Sequence, residues 1–253
     1  MRDRRPALVD TASECWGELL TPRCPDPAAV DALFGELLQR LQASDRWPNN
    51  LRRLVDTLGW IERLEHRAHD PYTVRLTAWA ASTSDISAGD TTTGDTTTGD
   101  TANRVASASG PDVYGARWAV CGLGRAGVQP APLTGVERLL GVLPEHDHVH
   151  GDADAEVLCD ADWAVLGAPA TEYRDHVDEL RRESTLPEAG WSRHRLLTVR
   201  ELLGRDSVFR TPEMRAAREG RAQLNIAREA AGLRAAGSGL AGAGGAVTSD
   251  NVD

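Results

Sequence analysis

Lysine is absent from this chain, so all 28 basic residues among its 253 are arginines. We attribute this bias to genomic GC content rather than to function. The arginines are outnumbered by 38 aspartates and glutamates, which gives a formal net charge of −10 at pH 7. Because the arginines are scattered along the sequence, they form no basic footprint for nucleic acid or for an anionic membrane. We expect neither as a partner.

The chain also lacks paired cysteines and long hydrophobic runs. Its cysteines form no C-x-x-C pair; they are Cys15, Cys24, Cys121 and Cys159. No apolar stretch approaches the roughly 18 residues that span a bilayer. The first residues do not contain the apolar segment of a signal peptide. We therefore expect the reducing cytoplasm as the location.

Strand patterns are nearly absent, whereas apolar residues recur at helical spacings of three and four. Pro25 and Pro27 open one such set, which continues through Val30, Leu33, Phe34, Leu37, Leu38 and Leu41. Other helical segments are predicted over residues 51–64, 72–81, 106–123, 133–143, 155–166, 173–183, 193–203 and 212–233. The expected fold is all-α, in a single domain over residues 8–233.

Two segments are predicted to be disordered. Residues 85–101 contain Gly-Asp-Thr-Thr-Thr in tandem, a polar tract of low complexity. Such a tract buries too little apolar surface to offset the entropy of ordering it, so we expect a mobile loop inside the domain. Residues 235–253 form a tail rich in glycine and alanine, for which we expect disorder as well.

Asp160 and Asp162 stand inside an otherwise almost wholly apolar run, Leu158 to Gly167. Burying an unpaired carboxylate costs several kcal/mol, so a cationic partner is expected. Residues two apart on a helix diverge by about 200°, so the two aspartates cannot serve one site equally.

Four motifs follow one another from Asp160 onward. They are Asp160-Ala-Asp-Trp-Ala-Val-Leu-Gly167, Arg182-Glu183-Ser184, His194-Arg195 and Arg221-Ala-Gln-Leu-Asn225-Ile-Ala-Arg-Glu229. This order resembles a bacterial family of predicted metal-dependent phosphohydrolases of the HD superfamily, with its D-A-D-L-A-x-L-G, R-x-E-Y, G-R-x-x-L and R-A-R-x-N-L-x-x-E segments. The resemblance implies an HD-domain-like helical bundle around a metal pocket, with Asp160 in the place of the last metal-binding aspartate.

Earlier in the chain the resemblance extends to positions where the ligands themselves are replaced. The family's R-x-Y-H-N-L-x-H-V corresponds to residues 46–54, and its two histidines become Asn49 and Arg53. The family's A-A-W-F-H-D corresponds to residues 77–82, so the His-Asp pair becomes Ala81 and Ser82. His148 takes the place of the histidine in a T-x-x-H element.

In HD enzymes, the resemblance implies, a divalent metal (Mn, Fe, Co, Ni or Zn) activates water for attack on a phosphate ester. Asp160 and His148 alone fall short of the three or more protein ligands typical of a catalytic metal site. We therefore predict that hydrolysis is lost, that no cofactor is bound, and that the chain is an inactive binding or regulatory protein. Its partner would be a small phosphorylated ligand or a protein. Arg53 is predicted to replace the metal's positive charge beside Asp160.

Two other interpretations stay open at this point. One is an active phosphohydrolase for nucleotides or small phosphate esters, with a divalent metal held in a rearranged site by His146, His148, Asp160 and Asp162. The other is a decaying sequence with no selected activity.

Polar residues elsewhere carry two further predictions. The His- and Asp-rich run from His146 to Glu156 is interpreted as a solvated loop rather than a metal site. An internal polar network is predicted where the family keeps polar residues, in preference to a phosphate site; its members are Arg182, Glu183, Arg195, Glu219, Arg221 and Asn225.

Overall fold

The computed structural model describes residues 5–43, 49–83, 113–143, 146 and 151–243. Every regular element within these ranges is a helix, which confirms the all-α class expected from the sequence. Contacts between Cα atoms group the chain into two compact units, Met1–Ala161 and Asp162–Asp253, where the sequence predicts one domain over residues 8–233. None of the helices in the described ranges is long and apolar enough to cross a membrane.

The first unit follows the helical periodicity of its sequence. Its helices, in chain order, are α1 (Arg5–Leu20), α2 (Pro27–Ala43), α3 (Asn49–Leu64), a 3-10 turn (Glu65–Arg67), α4 (Pro71–Ala81), α5 (Val113–Arg125), α6 (Pro130–Leu140) and α7 (Ala153–Asp162). Proline stands at the first position of α2, α4 and α6, where its fixed φ suits a helix and its missing N–H costs nothing.

Helix α4 lies at the centre of this unit. Asp70 caps its first turn by accepting a hydrogen bond from the Thr73 N–H at 3.1 Å. Along the helix Val74, Leu76 and Trp79 are buried almost completely. The ring of Trp79 meets Trp16 edge-on with centroids 4.9 Å apart, and meets Phe34 at 6.1 Å. These aromatic contacts join α1, α2 and α4 into one hydrophobic core.

The second unit begins with the end of the Asp160 motif. Its elements are a 3-10 turn (Trp163–Gly167), α8 (Ala170–Glu183), α9 (Glu188–Leu203), α10 (Pro212–Met214), a π-helical turn (Arg215–Glu219) and α11 (Gly220–Ala243). Its core is formed by α9 and α11 packing together. Their buried apolar residues are Trp191, Val199, Leu202, Ala222, Ile226 and Ala230.

The 3-10 turn lies directly on the π-helical turn. A Cβ atom on Gly167 would stand 2.6 Å from the Arg218 Cβ and 2.8 Å from the Arg218 backbone oxygen. Only glycine permits this approach without a shift of backbone. The last glycine of the Asp160 motif is therefore explained by packing.

Both segments predicted to be disordered lie partly or wholly outside the described residues. Residues 85–101 are outside them, as are residues 106–112 of a predicted helix. At the C-terminal end, α11 continues to Ala243, which moves the end of this helix beyond the expected boundary at residue 233. Alanine has the highest helix propensity, and it recurs in the segment that extends the helix. Residues 244–253 lie outside the described ranges.

Candidate functional site

The positions that the resemblance assigns to metal ligands fall on three helices of the first unit. Asn49 is the first residue of α3, and Arg53 lies one turn later at an exposed position. Ala81 is the last residue of α4 and Ser82 follows it. Asp160 lies in α7 and is 1% exposed. His148 lies outside the described residues.

The chemistry of these side chains does not fit a divalent metal. Ala81 carries only a methyl group. The Ser82 hydroxyl donates a hydrogen bond to the Trp79 carbonyl oxygen at 2.7 Å, so it closes the end of α4. A guanidinium such as that of Arg53 cannot coordinate a cation. Within the described ranges, no three histidine, cysteine, aspartate or glutamate side chains stand close enough to hold a metal ion.

The residues of the alternative site have different environments. His146 is buried, at 7% exposure, and its backbone adopts a φ of 50°, in the left-handed region. Asp160 is fully buried, whereas Asp162, the last residue of α7, is partly exposed. This difference agrees with the divergence expected for residues two apart on a helix.

The acidic residues at the start of α7 hold the end of this helix in place. Asp154 and Glu156 lie in its first turn and Asp154 is buried, so the prediction of a solvated loop through Glu156 is wrong for these residues. Arg138 of α6 forms an ion pair with Asp152, and its Nη2 lies 3.7 Å from the Asp154 Oδ2. The Asp154 Oδ1 also accepts a hydrogen bond from the Asp70 N–H at 2.9 Å. Asp152 accepts the Ala155 N–H at 3.2 Å, and Glu156 accepts the Gly151 N–H at 3.1 Å. These carboxylates cap α7 and fasten it to α4 and α6.

A buried polar cluster occupies the interior of the second unit. Arg195 of α9 donates two hydrogen bonds to Glu229 of α11, from Nε to Oε1 at 2.7 Å and from Nη2 to Oε2 at 3.1 Å. The Tyr173 hydroxyl of α8 donates to the same Oε2. The side chains of Arg195 and Glu229 are only 10% and 9% exposed. We call Tyr173, Arg195 and Glu229 the buried triad.

Burial and the Glu229 carboxylate fix the protonation states in the buried triad. Burial raises the pKa of the Tyr173 hydroxyl, and the hydrogen bond to Glu229 and its negative charge raise it further. For Arg195, burial lowers the pKa, but the hydrogen bonds and charge of Glu229 outweigh that effect and the net shift is upward. Tyr173 thus remains a neutral donor and Arg195 a cation at neutral pH.

The sequence predicts Arg195 as part of a polar network but singles out neither Glu229 nor Tyr173. Glu229 ends the fourth motif, four residues after Asn225, on the face of α11 that also carries buried Ala222 and Ile226. A carboxylate on an apolar helical face is the signal that identifies it. Tyr173 offers no comparable signal, because its contact with Glu229 joins residues 56 positions apart.

The other predicted members of the polar network lie in separate places. The Asn225 amide donates to the carbonyl oxygens of Leu166 and Ala168 at 3.0 and 2.9 Å. Glu219 accepts the N–H groups of Val208 and Phe209. Arg221 is exposed and donates to the Ala217 carbonyl of the preceding π-helical turn. Arg182 is exposed, and its Nη2 lies 4.0 Å from the Glu179 Oε1. Glu183 is the last residue of α8.

These polar contacts stabilise the fold of the second unit. Asn225 closes the 3-10 turn, Glu219 holds the segment before α10, and the buried triad joins α8, α9 and α11.

Comparison with known proteins finds no relative of this chain: no family model, curated protein or solved structure matches it.

Proposed function

We propose that this chain is a homologue of the HD phosphohydrolases that no longer hydrolyses phosphate esters and acts by binding, as a ligand-binding or regulatory protein. The observation that carries the proposal is the end of α4. Ala81 and Ser82 occupy the positions of the family's His-Asp pair. Ala81 offers only a methyl group, and the Ser82 hydroxyl donates its hydrogen bond to the Trp79 carbonyl oxygen. Neither side chain supplies a charged or imidazole ligand.

Among the described residues, Asp160 alone keeps a side chain that the family's pattern assigns to the metal. Since it is buried almost completely, its charge requires compensation. In the proposed protein Arg53 provides that charge in place of a metal. A guanidinium can hold a carboxylate through two parallel hydrogen bonds and needs no deprotonated ligands around it.

The distribution of retained and replaced residues argues against simple decay of the sequence. Asp160, Gly167, Arg195, Asn225 and Glu229 match the family's motifs, and of these Gly167, Arg195, Asn225 and Glu229 make the close contacts described above. The replaced residues are those of the metal pocket. Loss without selection would remove both kinds alike, whereas selection for a folded binding protein keeps the structural set.

The test measures metal and turnover on the full chain. The purified protein is analysed for Mn, Fe, Co, Ni and Zn, and assayed with bis(p-nitrophenyl) phosphate and a panel of nucleotides in the presence of each metal. We expect less than about 0.1 metal per chain, and turnover equal to that of the Asp160→Asn variant, because three ligands are typical of a catalytic site.

Stoichiometric metal together with turnover that disappears in Asp160→Asn would contradict the proposal and favour the active phosphohydrolase. A positive control for the assay is the quadruple variant Asn49→His, Arg53→His, Ala81→His and Ser82→Asp, which restores the family's ligands. If this variant gains metal while the natural chain has none, the replaced residues account for the loss.

A further inference from the structure

Two of the exposed leucines lie on α9, and a third lies just before it. Within the described residues, four large hydrophobic side chains are exposed, and three of them lie on α9 or directly before it: Leu186, Leu197 and Leu203, at 41%, 59% and 40% exposure. A single exposed leucine is ordinary on a protein surface, whereas two on the same side of one helix make that side a candidate contact surface.

The exposed residues of α9 form a face separate from the one that packs against α11. At about 100° per residue, buried Trp191, Arg195, Val199 and Leu202 fall within an arc of about 80°. On the other side Arg193, Leu197, Arg200 and Leu203 fall within an arc of about 120° and are all exposed. We call these four residues the outer face of α9. A helix with apolar residues on two faces is suited to two packing partners.

The outer face is basic as well as apolar. Arg193 and Arg200 are seven residues apart, which places them two turns apart on the same side of the helix. In the part of the chain that the structure describes, neither arginine has a partner within ion-pair distance. This is a local excess of positive charge in a chain whose net charge is −10.

We propose that the outer face of α9 binds an acidic amphipathic helix of a partner protein. Leucines at spacings of three and four on the partner would contact Leu197 and Leu203, and acidic residues seven apart would pair with Arg193 and Arg200. A second copy of this chain fits less well, because two-fold pairing of this face sets arginine against arginine. The proposal does not depend on the fate of the HD metal site, which lies in the first unit.

The experiment measures binding of a synthetic helical peptide to the full chain by fluorescence anisotropy. The peptide carries leucine at every third or fourth position and glutamate at flanking positions seven residues apart; a second peptide has lysine in place of glutamate. We expect the glutamate peptide to bind, and Leu197→Asp to weaken binding about tenfold or more. Arg193→Glu combined with Arg200→Glu should reverse the preference, so that the lysine peptide binds better.

Leu224→Asp is the matched control, since Leu224 is 48% exposed and lies on α11. It should leave binding unchanged, and circular dichroism should show native helix content in all three variants. Failure of the glutamate peptide to bind, equal binding of the two peptides by the natural chain, or an equal effect of Leu224→Asp overturns the proposal. So does sedimentation equilibrium that shows a dimer of the natural chain and a monomer of Leu197→Asp, because the face then belongs to a second copy.

Discussion

Glu229 is the shared acceptor of the buried triad in the second unit. Its two oxygens accept two hydrogen bonds from Arg195 and one from Tyr173, and all three side chains come from different helices. Because the pair is buried, the guanidinium depends on this carboxylate for compensation. Glu229 therefore links α8, α9 and α11 through hydrogen bonds.

Replacement of Glu229 by alanine should lower the free energy of unfolding by about 3 kcal/mol, because it leaves the Arg195 charge buried without a partner. Tyr173→Phe should cost about 1 kcal/mol, since only one hydrogen bond is lost. Urea unfolding at pH 7 measures both. The double variant Arg195→Met, Glu229→Leu should be less damaging than Glu229→Ala, because no charge remains unpaired.

Arg182→Ala provides the control, because Arg182 is exposed and its pair with Glu179 is long, at 4.0 Å. Its effect should stay within about 0.5 kcal/mol. If Arg182→Ala and Glu229→Ala lower the free energy of unfolding equally, burial is not the reason that the triad stabilises the protein.

At single positions, the sequence predicts burial better than it predicts partners. The apolar run around Asp160 points to a buried carboxylate, and Asp160 is 1% exposed. The pairing of Arg138 with Asp152, or of Tyr173 with Glu229, depends on how helices are arranged in space. No local pattern contains that arrangement, because these contacts join different helices.

The short 3-10 turn from Trp163 to Gly167 is held by hydrogen bonds from other elements and by a close backbone contact. The Arg218 Nη1 donates to the Ala164 carbonyl at 3.0 Å, and Asn225 donates to the Leu166 and Ala168 carbonyls. Gly167 then allows the turn to lie against the backbone of Arg218. The 3-10 turn, the π-helical turn and α11 are therefore packed tightly against one another.

Gly167→Ala should lower the free energy of unfolding by about 1–3 kcal/mol, since the new Cβ meets backbone that cannot move aside cheaply. Thermal or urea unfolding measures the change. Gly220→Ala is the matched control: Gly220 is helical and a Cβ there has no atom within 4 Å, so the substitution should stabilise by up to about 1 kcal/mol. A neutral or stabilising Gly167→Ala would refute the packing argument.

Most helices are predictable from local sequence, and their ends are predictable where proline or a capping aspartate marks them. Pro27, Pro71 and Pro212 each open a helix close to the expected position. The end of α11 was not marked, because alanine and glycine alternate there and glycine alone does not stop a helix. The π-helical turn has no periodic signature and could not be foreseen.

Over the whole molecule, charge has a predictable effect on stability. The chain carries a net charge of −10 at pH 7 and has an isoelectric point near 5.2. Like charges repel one another in the compact state, and salt screens that repulsion. Raising NaCl from about 0.01 to about 0.5 M should therefore raise the Tm by a few degrees at pH 7.

The same change of salt at the isoelectric point is the control, because the net charge there is zero. We expect little change of Tm at that pH, measured by scanning calorimetry. A decrease of Tm with salt at pH 7 would mean that ion pairs such as Arg138 with Asp152 outweigh the net repulsion.

The division into two compact units was not predictable from composition, because both are helical and neither boundary residue is a glycine or proline. The candidate site was predictable only as far as the motifs reach: they mark Asp160 and the positions that the resemblance assigns to metal ligands, but they do not identify the group that lies against Asp160. That depends on which helices meet around Asp160, and periodicity does not encode this arrangement.

The edge-on pair of Trp16 and Trp79 gives the first unit an optical signal of its own. Two indole rings with centroids 4.9 Å apart and inclined by 75° have coupled electronic transitions. Such a pair produces an exciton couplet in the far-ultraviolet circular dichroism, superimposed on the helix bands. Loss of that couplet reports the opening of the core around α1 and α4, even while helix content elsewhere is unchanged.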